Sequence, residues 1–199
     1  MAATEQATSV APFWEKVTTD RLAQGDFLTG CSVAIVPPEF NPDITQAKAR
    51  IDVVDLIIMT QTCDLENDKA PLVACCPIHS IVRFEEASPE FKKQGAWERV
   101  RQGRVEGLHL LASTTKPDDK WDAYTVDFRS IYSLPVGYMT RRAMSLGARW
   151  RLRSPYLEHF SQAFARFFMR VGLPSGIPSY KNPPQRPPGP PQASKISIE

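Results

Sequence analysis

The run Ile51-Asp52-Val53-Val54-Asp55-Leu56-Ile57-Ile58-Met59 constrains the fold more than any other stretch of the chain. Its second half is apolar at consecutive positions, so a strand there buries both faces and belongs inside a sheet rather than at its edge. The run stops at Thr60-Gln61-Thr62-Cys63-Asp64, a polar knot that presents a thiol beside a carboxylate. Such a corner at the end of a covered strand is a natural place for a reactive or ligand-binding site.

Shorter elements assemble around that strand. Gly25-Asp26 opens a strand through Phe27, Leu28, Cys31, Val33, Ile35 and Val36, and Pro37-Pro38 closes it. Glu66-Asn67-Asp68-Lys69 reads as a turn, and Leu72 to Ile78 returns antiparallel to the central run. Ser88-Pro89 starts a helix that weakens at Gly95 and fades by Gly103. Val105 to Ala112 and Tyr124 to Ile131 form a hairpin around the polar loop Ser113 to Lys120, and Pro135 begins a helix through Arg142 and Met144. The last helix is the best marked. Ser154 caps it, Pro155 takes its first position, and Gly172 with Pro174 ends it. Leu157, Phe160, Phe164, Phe167, Phe168 and Val171 recur along it at helical spacing, a stripe that must bury against a sheet.

These elements predict an α+β fold, a small bent antiparallel sheet or open SH3-like barrel packed on the Phe-rich C-terminal helix. A chain of 199 residues is long enough to bury one such core. Residues 12–173 are expected to form a single globular domain. Residues 1–11 are small and polar and are expected to be disordered. Residues 174–199 are expected to form a disordered tail, because eight prolines lie between Pro174 and Pro191 among Gly, Ser, Gln and Asn.

No apolar run reaches the roughly 20 residues that a membrane span needs, and Met1 to Pro12 lacks the basic start and apolar block of a signal peptide. A cytoplasmic protein with reduced thiols is therefore expected, with no membrane partner. Cys75 and Cys76 are adjacent, so their side chains point to opposite faces of a strand, and the four cysteines read as free thiols.

Three constellations could carry chemistry. In the first, Cys63 is a nucleophile, Asp64 orients a histidine, and His109, in the predicted strand Gly107-Leu108-His109-Leu110-Leu111, is the base. Its bland counterpart is a buried, inert cysteine at a strand end. The second is a metal site from Cys76 and His79, but the second close ligand pair that structural zinc requires is missing, so no metal and no cofactor is expected. The third is electropositive. Between Arg141 and Arg170 the chain carries seven arginines against one acid, Glu158. Arg149, Trp150, Arg151 and Arg153, joined by Arg166 and Arg170 on the last helix, are the expected contact surface for nucleic acid or a partner protein. The plainer reading solvates these arginines or pairs them with acids of the N-terminal part. The phosphate-loop, dinucleotide, nucleophile-elbow and paired-His metalloprotease signatures are all absent from the sequence.

Gly25-Asp26-Phe27, Met59-Thr60-Gln61-Thr62-Cys63-Asp64-Leu65-Glu66, Arg153-Ser154-Pro155-Tyr156-Leu157-Glu158-His159-Phe160 and Arg170-Val171-Gly172-Leu173-Pro174 together resemble a bacterial protein family of no settled activity. The likeness covers most of residues 13–174. More remotely, a Gly-Asp opening followed by a buried strand ending in Thr-Gln is similar to the small SH3-like barrels of the MazF/PemK ribonuclease toxins. Those toxins carry an Arg-Pro pair where this chain has Arg50-Ile51-Asp52, so the resemblance does not carry ribonuclease chemistry over. The leading expectation is a soluble bacterial binding or interaction module in a defence or toxin–antitoxin setting. The alternatives are a Cys63-centred hydrolase or transferase, and an RNA-cleaving small-barrel toxin.

Overall fold

The computed structural model of the protein describes residues 12–38, 40, 49–115 and 122–169. The expectations for residues 1–11 and for the Pro-rich segment 174–199 lie outside these residues. In chain order the elements are β1 (Trp14–Val17), β2 (Asp26–Ile35), β3 (Arg50–Ile58), α1 (Thr62–Glu66), β4 (Leu72–Ser80) and α2 (Ile81–Ala87), then a 3-10 turn (Pro89–Lys92) and α3 (Ala96–Arg101). They continue with β5 (Leu108–Leu111), β6 (Tyr124–Asp127), β7 (Tyr132–Pro135), α4 (Val136–Leu146), β8 (Arg149–Leu152) and α5 (Tyr156–Phe168). The architecture is α+β. Every described strand pair is antiparallel, in the order β1-β8-β2-β3-β4-β6-β5.

The central run explains itself in this arrangement. β3 lies between β2 and β4, pairing Phe27 with Ile57 and Ile57 with Cys76. Ile57 and Cys76 enter one core with Phe27, Phe128 and Phe160, while Leu56, Ile58 and Cys75 enter a second core with Leu28, Val73 and Met139. Neighbours in sequence thus fall on opposite faces, and both faces are covered. α5 covers the first face, with Phe160 fully buried and Leu157, Phe164 and Phe167 packed against it. α4 covers the second through Met139 and Ala143.

β4 forks the sheet. On the edge away from β3 its first half pairs with β7, Val73 opposite Leu134, and its second half pairs with β6, His79 opposite Thr125. β7 and α2 have no counterpart in the sequence reading. Each follows its neighbour without a breaking residue, and Ser80 ends β4 while also capping α2 by accepting from the Arg83 amide. The helix expected from Ser88 is divided: Ser88 leads only the 3-10 turn, and Gly95, at φ +80°, separates that turn from α3. At α5 the cap position belongs to Pro155, not Ser154, with no side-chain cap hydrogen bond.

Gly25 shows why the Gly-Asp opening has its form. At φ +81° its amide donates to the Ile58 carbonyl and its own carbonyl accepts from the Leu152 amide, so one residue ties β3 to β8. A Cβ there would sit 2.9 Å from Leu157 Cδ1 and 3.0 Å from Leu152 Cβ. Only glycine meets both demands. Among the described residues no helix is long and apolar enough to cross a membrane.

Candidate functional site

The polar knot after β3 is first of all a joint. The Thr60 hydroxyl accepts from the Ala74 amide at 2.8 Å, and the Ala74 carbonyl accepts from the Met59 amide at 2.8 Å. The Gln24 side chain donates to the Met59 carbonyl at 2.9 Å, and the Gln24 amide donates to the Thr62 hydroxyl at 3.1 Å. Both threonine hydroxyls are therefore engaged with backbone, and they fasten the end of β3 to β4 and to the segment before β2. Gln61 then leads into α1, a short helix ahead of the turn expected at Glu66-Asn67-Asp68-Lys69.

Cys63 projects from this joint and is exposed. Its sulfur has Gln61 Oε1 at 3.7 Å and Asp64 Oδ1 at 3.8 Å, and no imidazole or cation of the described residues is bonded to it. His109 is elsewhere. On β5, three strands from β3, it pairs with Val126, which pairs with Ile78, three residues along β4 from the Cys75 that faces the end of β3. The structure does not bring Cys63 and His109 together, and the buried-cysteine alternative does not describe Cys63 either. The other three thiols are buried. Burial pushes Cys31 up to about 11, partly offset by the Arg142 charge, and Cys76 to about 12, so both remain protonated at neutral pH. All four cysteines are free thiols. Beside the knot, Leu65, Glu66 and Asp68 join Asp20, Arg21 and Thr140 around a cleft of about 360 Å³. Among the described residues no group of three or more His, Cys, Asp and Glu is placed to hold a metal ion.

His109 is held by aromatic rings, Phe128 at 6.0 Å and Phe160 at 5.6 Å between centroids. Burial, reinforced by the neighbouring His159, lowers its pKa from 6.5 to about 4. The folded chain therefore resists a proton that the unfolded chain accepts. The stability this provides is complete above pH 6.5 and is lost as the pH falls from 6.5 toward 4. Urea unfolding should show a loss of about 2 kcal/mol from this group between pH 7 and pH 5. His109→Leu should remove that component of the slope. An identical pH dependence in the variant would show that His109 titrates normally.

The expected arginine surface is only partly at the surface. Arg149 sits in the interior, its side chain 1% exposed: on β8 it shares with Arg151 the face that meets Asp26, while Trp150 and Leu152 point the other way into the first core. Arg149 Nε donates to Asp26 Oδ2 at 2.8 Å, while its terminal nitrogens donate to the carbonyls of Thr19 and Arg21. Arg151 donates to both oxygens of the same carboxylate. Asp26, fully buried, also accepts from the Ala23 amide. Arg149 is thus corrected from a phosphate ligand to a structural ion pair, formed with an acid of the N-terminal part. Trp150 is half-buried, with the Lys16 ammonium 5.9 Å from its ring centre. Arg153 and Arg166 are exposed, and Arg170 lies outside the described residues.

A different basic and aromatic surface lies on α2, the 3-10 turn and α3. Phe84, Val100 and Leu108 form a small third core, and Phe91 and Trp97 pack on its rim with their rings 5.2 Å apart. These two rings wall a groove of about 700 Å³, within the usual range for ligand sites. Lys92, Lys93 and Arg101 stand at its edge. The groove's two acids are engaged: Glu85 accepts from Trp97 Nε1 at 2.8 Å, and Glu98 accepts from Arg101 and Gln102. The Arg101 and Gln102 donors hold the Glu98 carboxyl at about 2. Lys92 and Lys93 have no ion pair among the described residues. The sequence carries a signal for this surface: from Lys92 to Arg104 there are five cations and one acid, with Trp97 among them.

No family model, curated protein or solved structure matches this chain.

Proposed function

We propose that the protein is a nucleic-acid-binding module whose contact face is the α2–α3 surface, rather than an enzyme built on Cys63. The observation that carries this reading is the groove walled by Phe91 and Trp97, where the acids are already bonded and two lysines are free for an external anion. A polyanion meets that pattern, because each phosphate neutralised by a lysine releases counterions. The forked sheet fits an open form of an SH3-like barrel. The setting we favour remains cytoplasmic, in bacterial defence or a toxin–antitoxin pair. Binding of a fluorescent oligonucleotide, measured from 50 to 300 mM salt, tests the reading. Affinity should fall steeply with salt, and Lys92→Ala with Lys93→Ala should flatten the log–log slope by about 2, roughly 1 per lost phosphate contact. Negligible binding at the lowest salt would reject it.

A further inference from the structure

We infer that the groove lined by Phe91 and Trp97 receives an unpaired base against these rings, which makes single-stranded nucleic acid the ligand and excludes a closed duplex. The inference rests on the nucleic-acid reading above and adds the mode of recognition.

The two rings form a platform that is fixed before anything binds. Trp97 meets Phe84 edge-on at 5.7 Å, Phe84 meets Phe91 edge-on at 5.2 Å, and Phe91 lies 5.2 Å from Trp97. Three mutually packed rings cannot turn independently, so an incoming base finds a surface already in place. The indole N–H, which would otherwise read a hydrogen-bond acceptor, is occupied by Glu85. What Trp97 can offer is therefore ring area rather than a donor, and stacking accepts every base because every base has a π-face. Specificity for strandedness without specificity for sequence follows.

Space and charge agree. Gly95, which lines the groove, is exposed, and an added Cβ there would meet nothing within 4 Å, so no side chain crowds that part of the rim. Lys92 and Lys93 are consecutive, exposed and unpaired among the described residues, on the rim where the backbone of a strand would pass once its base is seated. A duplex presents phosphates to these lysines but keeps its bases stacked on one another, beyond the reach of a groove wall. An acidic peptide could satisfy the lysines, but it would leave the two rings without a planar partner.

The test uses the full chain and four probes at one low salt concentration: a labelled single strand, the same strand carrying abasic sites, the corresponding duplex, and poly-glutamate. The base-bearing single strand should bind roughly 5- to 150-fold more tightly than the abasic strand, the range that one stacked base supplies, and more tightly than the duplex or poly-glutamate. Trp97→Phe should keep most of this preference, and Trp97→Ala should abolish it. Because Trp97→Ala also weakens the small third core, the abasic comparison on the unaltered protein is decisive. Equal binding of abasic and base-bearing strands, or of duplex and single strand, would overturn the stacking inference while leaving a nucleic-acid module intact. Poly-glutamate binding as tightly as the single strand would overturn it in favour of an acidic protein partner. No binding of any nucleic acid would reject both readings.

Discussion

Asp26→Asn is expected to destabilise the protein by about 3–5 kcal/mol, the usual consequence of removing one partner from a buried ion pair. The substitution keeps the shape of the side chain and removes its charge, so no cavity opens. It leaves the Arg149 guanidinium, 1% exposed, without its counter-ion, and it turns an amide NH2 toward groups that only donate. The cause is simple electrostatics: two guanidiniums and the Ala23 amide converge on one carboxylate, which a neutral amide cannot satisfy. Equilibrium urea unfolding measures the effect, with the midpoint falling and the slope unchanged. The loss should persist at high salt, since screening does little for a pair removed from water. A change below about 1 kcal/mol, the scale of an exposed pair, would mean that the cluster is solvated in solution.

The second large effect is at Phe160. Phe160→Ala should cost about 3–5 kcal/mol, because a fully buried ring is replaced by a void that its neighbours fill only in part. Phe160 touches His109 and Phe128 and is the buried anchor of α5 on the first core. Its removal should also admit water to His109. The acid-dependent loss of stability described for His109 should therefore become shallower in the variant, which urea unfolding at pH 7 and pH 5 would register. An unchanged pH dependence together with a small loss of stability would show that α5 does not seal this core.

These two positions mark different limits of legibility. Phe160 was readable because its reason is local: a helical stripe of large apolar residues has to be covered, whatever covers it. Central β3 was readable for the same kind of reason, since consecutive apolar residues need cover on both faces. Arg149 was not readable in detail. The alternation of Arg149, Trp150, Arg151 and Leu152 announces a strand, but that its arginine face turns inward depends on an acid 123 residues away in sequence from Arg149. The thiol corner was half readable. Its position at the end of β3 was plain, whereas the separation of Cys63 from His109 follows from strand order and register, which the chain does not display.

The aromatic groove belongs to a third case. Most of its residues lie close together in sequence, yet two lysines just ahead of a glycine look like a solvated turn until the rings are seen to pack. The amino-acid pattern alone determined the strand and helix that must be buried, the free thiols and the α+β class, because these depend on periodicity and composition over short windows. Tertiary structure alone decided which charges are neutralised and which remain free. A charge is silenced by whatever the fold sets within hydrogen-bond distance of it, and for Asp26 and Arg149 that neighbour is brought in across more than half the chain.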